Sequence, residues 1–143
     1  MWIDRLLEFI PGPLDLLLGS LAAVVMLGSV IPIVVSCHGW GWRIGDTRKL
    51  FHFLIFSGAG ALRYFGSIAM VAVYGSWVAL TVLLSVRRGS RSSLFLALAR
   101  PEDEDARGFN VLLSTLSTAL GGVAAHLLLG KLALVSYLVT GCG

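Results

Sequence analysis

The chain has 143 residues, 57% hydrophobic and 13% charged, with a formal net charge of +3 and a mean hydropathy of +0.87. A soluble domain carries about a quarter charged residues, so this composition excludes an ordinary water-soluble domain and points to one small membrane domain over residues 1–143. Cys37 and Cys142, with the dispersed histidines His38, His52 and His126, give neither a disulfide framework nor a zinc spacing.

A membrane-crossing helix needs about 20 mostly apolar residues. The N-terminal stretch "MWIDRLLEFIPGP" sets Arg5 against Asp4 and Glu8, a poor positive region for a signal peptide. The first span is 14–36, with Asp15 at its entrance and Pro32 in its last turns. The second is 46–62, with Asp46 as its N-cap. Its fully apolar part, 50–62, is too short alone, so the turn with Arg48 and Lys49 lies at the interface. A re-entrant segment is the alternative there, because the turn at Arg63 and Tyr64 is short. The third span is 65–85. Between it and the next lies "SSLFLALAR", 92–100, a short interfacial helix. The fourth span is 109–130. A final segment, 132–143, supplies about 18 Å of helix against a hydrocarbon core of about 30 Å. It is therefore either re-entrant or cut short, and a fragment of a larger enzyme is the favoured expectation. The fold class is all-α: four full spans plus a partial fifth.

Charge orders these spans. Arg43, Arg48, Lys49, Arg87, Arg88, Arg91, Arg100 and Arg107 fall in loops 37–49 and 86–108, or at their edges, against Arg5, Arg63 and Lys131 on the other side. The positive-inside rule puts the richer side in the cytoplasm and the N-terminus outside. A bacterial inner membrane is the default setting. In the fourth span Ser114, Thr118, Gly122 and His126 recur at i+4, beside a row of Ser117, Gly121 and Ala125. Such rows serve close helix packing or, alternatively, line a substrate path.

Two polar constellations stand out. In "DTRKLFHFLIFSGAG", Arg48 and His52 are i,i+4 neighbours, and Lys49 and His52 are i,i+3 neighbours. Two cations and an imidazole near the positive end of a helix suit a phosphate; headgroup anchoring by Arg48 and Lys49 is the plainer alternative. His52 lies a turn deeper, and an intramembrane ionisable group is a functional candidate by default. In "ARPEDEDARG", Arg100 and Arg107 flank four consecutive acids. These could help hold Mg²⁺ or form local ion pairs in a solvated loop. No P-loop, nucleophile elbow, zinc motif or nucleic-acid module is present.

Three stretches together resemble the polyprenol and phytol kinase group, which includes dolichol kinase, phytol kinase and CTP-dependent diacylglycerol kinase and is related to the membrane phosphatidate cytidylyltransferases. "TRKLFHFLIFSGAG" resembles its Arg-Lys-x-x-His segment. "ARPEDEDARG" resembles its cytoplasmic Arg-Pro-x-Asp-Glu loop, and "STALGGVAAHLLLGKLALVSYLVTGCG" the approach to its Gly-x-Gly-Asp region. The likeness covers about residues 44–143. It implies a multi-pass enzyme that moves phosphate from a nucleotide, often CTP, with Mg²⁺, to a lipid alcohol. By that resemblance Arg48, Lys49 and His52 are catalytic. Arg100, Glu104, Arg107, Gly141 and Gly143 belong to the nucleotide-binding part. The acid expected before the Arg-Lys pair is replaced only approximately by Asp46, and the Asp expected after Gly143 is not in the chain. The expectation is a part that is inactive alone and is completed by a C-terminal half. The alternatives are a cytidylyltransferase-like enzyme acting on phosphatidate and a non-enzymatic membrane subunit or transporter fragment.

Overall fold

The computed structural model describes residues 2–99 and 109–129. Among these the chain is helical, with no strand. The elements are α1 (Trp2–Leu7), α2 (Pro13–Gly39), α3 (Ile44–Phe65), α4 (Ile68–Arg88), a 3₁₀ turn (Gly89–Arg91), α5 (Ser93–Leu98) and α6 (Phe109–Leu129). Two helical stretches, Pro13–Gly39 and Ile68–Arg91, are long and apolar enough to cross a membrane.

Local chemistry explains where the helices begin and turn. Pro13 sits at the start of α2, where its missing N–H costs nothing and its fixed φ suits a helix. Asp15 accepts from the Gly12 N–H at 2.9 Å. Gly41 lies within the α2–α3 connection with φ +87 and Gly89 follows α4 with φ +55, backbone conformations that other L-residues reach only with strain. Ser67 caps α4 by accepting from the Met70 N–H at 3.0 Å. The helix expected from Asp46 begins instead at Ile44, and its N-cap position is Arg43, with no side-chain cap. Asp46 is thus a first-turn acid rather than the cap. Pro32 lies inside α2 without ending it.

α2, α3 and α4 form an antiparallel three-helix core. α2 supplies Ala23, Leu27, Val30 and Val34; α3 supplies Phe51, Ile55 and Ala59; α4 supplies Ile68, Val71 and Tyr74. The i+3 and i+4 spacings put each set on one stripe. Two glycines set the close approaches. A Cβ on Gly19 would stand 2.9 Å from the Met70 carbonyl oxygen and from Val73. One on Gly58 would stand 2.9 Å from both the Tyr74 hydroxyl and Met26. The Tyr74 hydroxyl donates to the Ile55 carbonyl at 3.0 Å, satisfying the polar tip of a buried ring.

α3 runs back along α2 from its end to its first turn. Its start follows the end of α2 through a short turn, and just past its end Ser67 donates to Asp15 in the first turn of α2 at 2.6 Å. α3 is therefore one continuous helix of 22 residues, about 33 Å long, with no doubling back. The 92–100 stretch does contain a short helix, α5, but Leu94, Phe95 and Ala97 are buried against the bundle. It wedges between the end of α2, the start of α3 and the end of α4.

α6 packs against α4 and α1. His126, in its last turn, lies 3.2 Å from Glu8 and edge-on to the Phe9 ring at 5.1 Å. Its end thus returns to the end of the bundle where α2 begins. Among the described residues the small-residue rows are packed only towards the end of α6. Ser117, Thr118 and Gly121 are exposed, and nothing lies within 4 Å of a Cβ placed on Gly121. Ala125 and His126, in the last turns, meet the bundle. The segment 132–143 lies outside the described residues.

Candidate functional site

The bundle has two distinct ends. One carries the starts of α2 and α4 and the end of α3, with Asp15, Arg63 and Ser67. The other carries the end of α2, the start of α3, the end of α4 and all of α5. Among the described residues Arg43, Arg48, Lys49, Arg87, Arg88 and Arg91 gather at this second end, with Asp46 as the acid there.

The second end is built around Thr47. It is fully buried, and its hydroxyl reaches the Ala97 carbonyl on α5 at 2.5 Å and the Ile44 carbonyl at 3.0 Å. Ser92 caps α5 through the Phe95 N–H at 3.3 Å. A buried carbonyl left without a donor costs about 1–3 kcal/mol, so Thr47 both satisfies α5 and pins it to α3. Thr47 begins the buried stripe Thr47, Phe51, Ile55 and Ala59, each one turn after the last.

That stripe decides where the sequence-predicted residues go. Arg48 follows Thr47 and is half-buried on the flank of α3, whereas Lys49, about 100° further round, is exposed. His52 lies one turn beyond Arg48 on the same flank and is exposed, with Phe51 and Phe56 ring centroids at 6.1 and 6.2 Å. Arg48 and His52 thus share a face, and Lys49, an i+3 neighbour of His52, flanks it on the exposed side. Because α3 starts at Ile44, Arg48 stands a full turn inside the helix, about 6 Å from its start, rather than in the opening turn. Arg100, Glu104, Arg107, Gly141 and Gly143 lie outside the described residues.

Two features were not singled out from the sequence. Thr47 reads as one polar residue among charged neighbours; its only signal is that it heads the i+4 stripe of Phe51 and Ile55. Arg87, Arg88 and Arg91 read as orientation charges. In the structure they line, with Leu84, a shallow open cleft of about 540 Å³.

A divalent metal finds no donor set here. Among the described residues no three His, Cys, Asp or Glu side chains come together, and the acids of 102–105 lie outside those residues. The described residues therefore do not by themselves fit a Mg²⁺ site. What this end offers chemically is cationic recognition of phosphate oxygens by Arg48, Lys49 and the α4 arginines, next to an exposed imidazole.

Comparison of the chain with family models, with curated proteins and with solved structures finds no match.

Proposed function

We propose that the chain is a polytopic helical membrane protein whose cationic end handles phosphate, and that it serves the transfer of a phosphoryl group from a nucleotide such as CTP to a lipid alcohol. The membrane part of this reading draws on the two long apolar helices and on the exposed leucines of α2, α4 and α6. Aromatic residues also rim both ends of α3: Trp40 and Trp42 before it, Tyr64 and Phe65 at its close, all exposed. Tryptophan and tyrosine favour the two membrane–water interfaces, and the two rims are about 33 Å apart along the helix. In this reading α3 and α6 also cross, the N-terminus lies outside, and the cationic end faces the cytoplasm.

The observation that carries the catalytic reading is the hydrogen bond from Thr47 to Ala97. Thr47 opens the "TRKLFH" stretch, and Ala97 lies just before the "ARPEDEDARG" stretch that starts at Ala99. The first of the two stretches that resemble a lipid-kinase signature is therefore tied to the end of α5, two residues before the second stretch begins. Phosphoryl transfer relies mainly on positioning and charge neutralisation. Arg48 and Lys49 neutralise the nucleotide phosphates. The lipid hydroxyl oxygen attacks the γ-phosphorus, the bond from that phosphorus to the β–γ bridging oxygen breaks, and the nucleoside diphosphate leaves. The hydroxyl proton passes to His52, the imidazole that shares a face of α3 with Arg48.

The test uses membranes from cells expressing the encoded protein, given CTP labelled at the α or the γ phosphate together with phytol, dolichol, diacylglycerol or phosphatidate. Label from the γ position appearing in the lipid alcohol, and lost by at least tenfold in Arg48→Ala with normal membrane insertion, supports the proposal. Label from the α position entering phosphatidate, with pyrophosphate released, replaces it with a cytidylyl transfer. No transfer above that of membranes without the protein, with CTP or ATP as donor and with the gene's whole reading frame and any partner half co-expressed, overturns it.

A further inference from the structure

We infer that the cleft lined by Leu84, Arg87, Arg88 and Arg91 is a binding site for the headgroup of an anionic phospholipid. The inference rests on the membrane reading above and not on the catalytic one.

Three guanidiniums converge on one opening, and all three side chains are exposed. Among the described residues none of them is paired with a carboxylate. Like charges held this close repel one another, and an anion in the cleft converts that repulsion to attraction. Guanidinium forks match phosphate oxygens two at a time, which a lysine ammonium does not do.

The fourth lining residue selects among anions. Leu84 is exposed, as are Leu80 and Leu83 just before it on α4. Leu80, Leu84 and Arg88 follow each other at i+4, so an apolar strip leads directly into the cationic cleft. A free phosphate or a nucleotide gains nothing from that strip. A phospholipid matches both parts at once, its phosphate on the arginines and its upper acyl chain along Leu84 and Leu80. The arginines lie at the membrane boundary in this arrangement, where the headgroup phosphates are.

The experiment uses the full chain purified in a neutral detergent, stripped of lipid and titrated with phosphatidylglycerol or phosphatidylcholine, bound lipid being counted by native mass spectrometry. Phosphatidylglycerol is expected to bind at least tenfold more tightly. Each of Arg87→Ala, Arg88→Ala and Arg91→Ala is expected to weaken it about fivefold, while Arg43→Ala leaves it unchanged. The triple Arg→Lys variant, which keeps the charge, loses most of the preference. Equal binding of the two lipids, or a triple lysine variant that binds like the parent, overturns the site in favour of a general positive field. Displacement of bound lipid by millimolar inorganic phosphate overturns it in favour of a free-anion site. Alkaline extraction of the source membranes is run in parallel and reads the membrane assignment separately. Protein released to the supernatant ends that assignment, whereas retained protein without lipid preference ends the cleft alone.

Discussion

The two ends of the bundle satisfy their polar groups in opposite ways. At the end where α2 begins, polar side chains bond to one another: Asp15 accepts from both Gly12 and Ser67, Ser67 caps α4, and Glu8 meets His126. At the other end the polar side chains bond to backbone instead: Thr47 to the Ala97 carbonyl, Ser85 to the Val82 carbonyl and Ser92 to the Phe95 N–H, and the cations around them are exposed or half-buried. The first arrangement closes a structure. The second holds a short helix in place and leaves charge available for recognition. Substitutions at the first end should therefore change stability and leave anion binding alone, and arginine substitutions at the second should do the reverse.

The largest effect is expected where that closure depends on bare backbone. Gly19→Val puts a branched side chain against the Met70 carbonyl and Val73, and overpacking of this kind costs about 1–3 kcal/mol or more. Thermal unfolding in detergent should show a lowered midpoint or no folded protein, with anion binding by any folded fraction intact. Thr47→Val is isosteric and removes the one donor to Ala97. It should cost about 1–3 kcal/mol, and hydrogen exchange should speed up over residues 93–98 before it does in α2. Unchanged exchange there would break the claim that Thr47 pins α5.

Smaller effects sharpen the contrast. Ser67→Ala removes a helix cap worth about 1 kcal/mol and one of the two donors to Asp15. Its midpoint should fall by less than that of Thr47→Val. Glu8→Gln should be the mildest, within about 1 kcal/mol, because Glu8 is largely exposed even though its partner His126 is not. A Glu8 variant as damaging as Gly19→Val would mean that α6 depends on that contact far more than its exposure suggests.

Much of this was legible in the residues. Alternating apolar runs and short polar breaks put helices close to 14–36, 46–62, 65–85 and 109–130, and they emerge as α2, α3, α4 and α6 with ends shifted by a few residues. The gathering of Arg43, Arg48, Lys49, Arg87, Arg88 and Arg91 at one end followed from helices that alternate in direction. The cap at Asp46 was misread because an acid in a first turn and an acid at a cap satisfy the same helix dipole, and only backbone geometry separates them. Spacing in the small-residue rows of α6 shows that a helix can be approached, not that another helix is there.

Elementary chain physics, then, was enough to determine which segments are helical, roughly where each stops, and which loops share a side. Those properties follow from local hydropathy and from the direction in which consecutive helices must run. Tertiary structure alone decided which faces meet. α2 is apolar on nearly every side, so its periodicity does not mark a buried stripe. The choice falls to shape: Gly19 admits α4, Gly58 admits the Tyr74 hydroxyl, and Thr47 has a carbonyl beyond its own helix to bond because α5 folds back onto it.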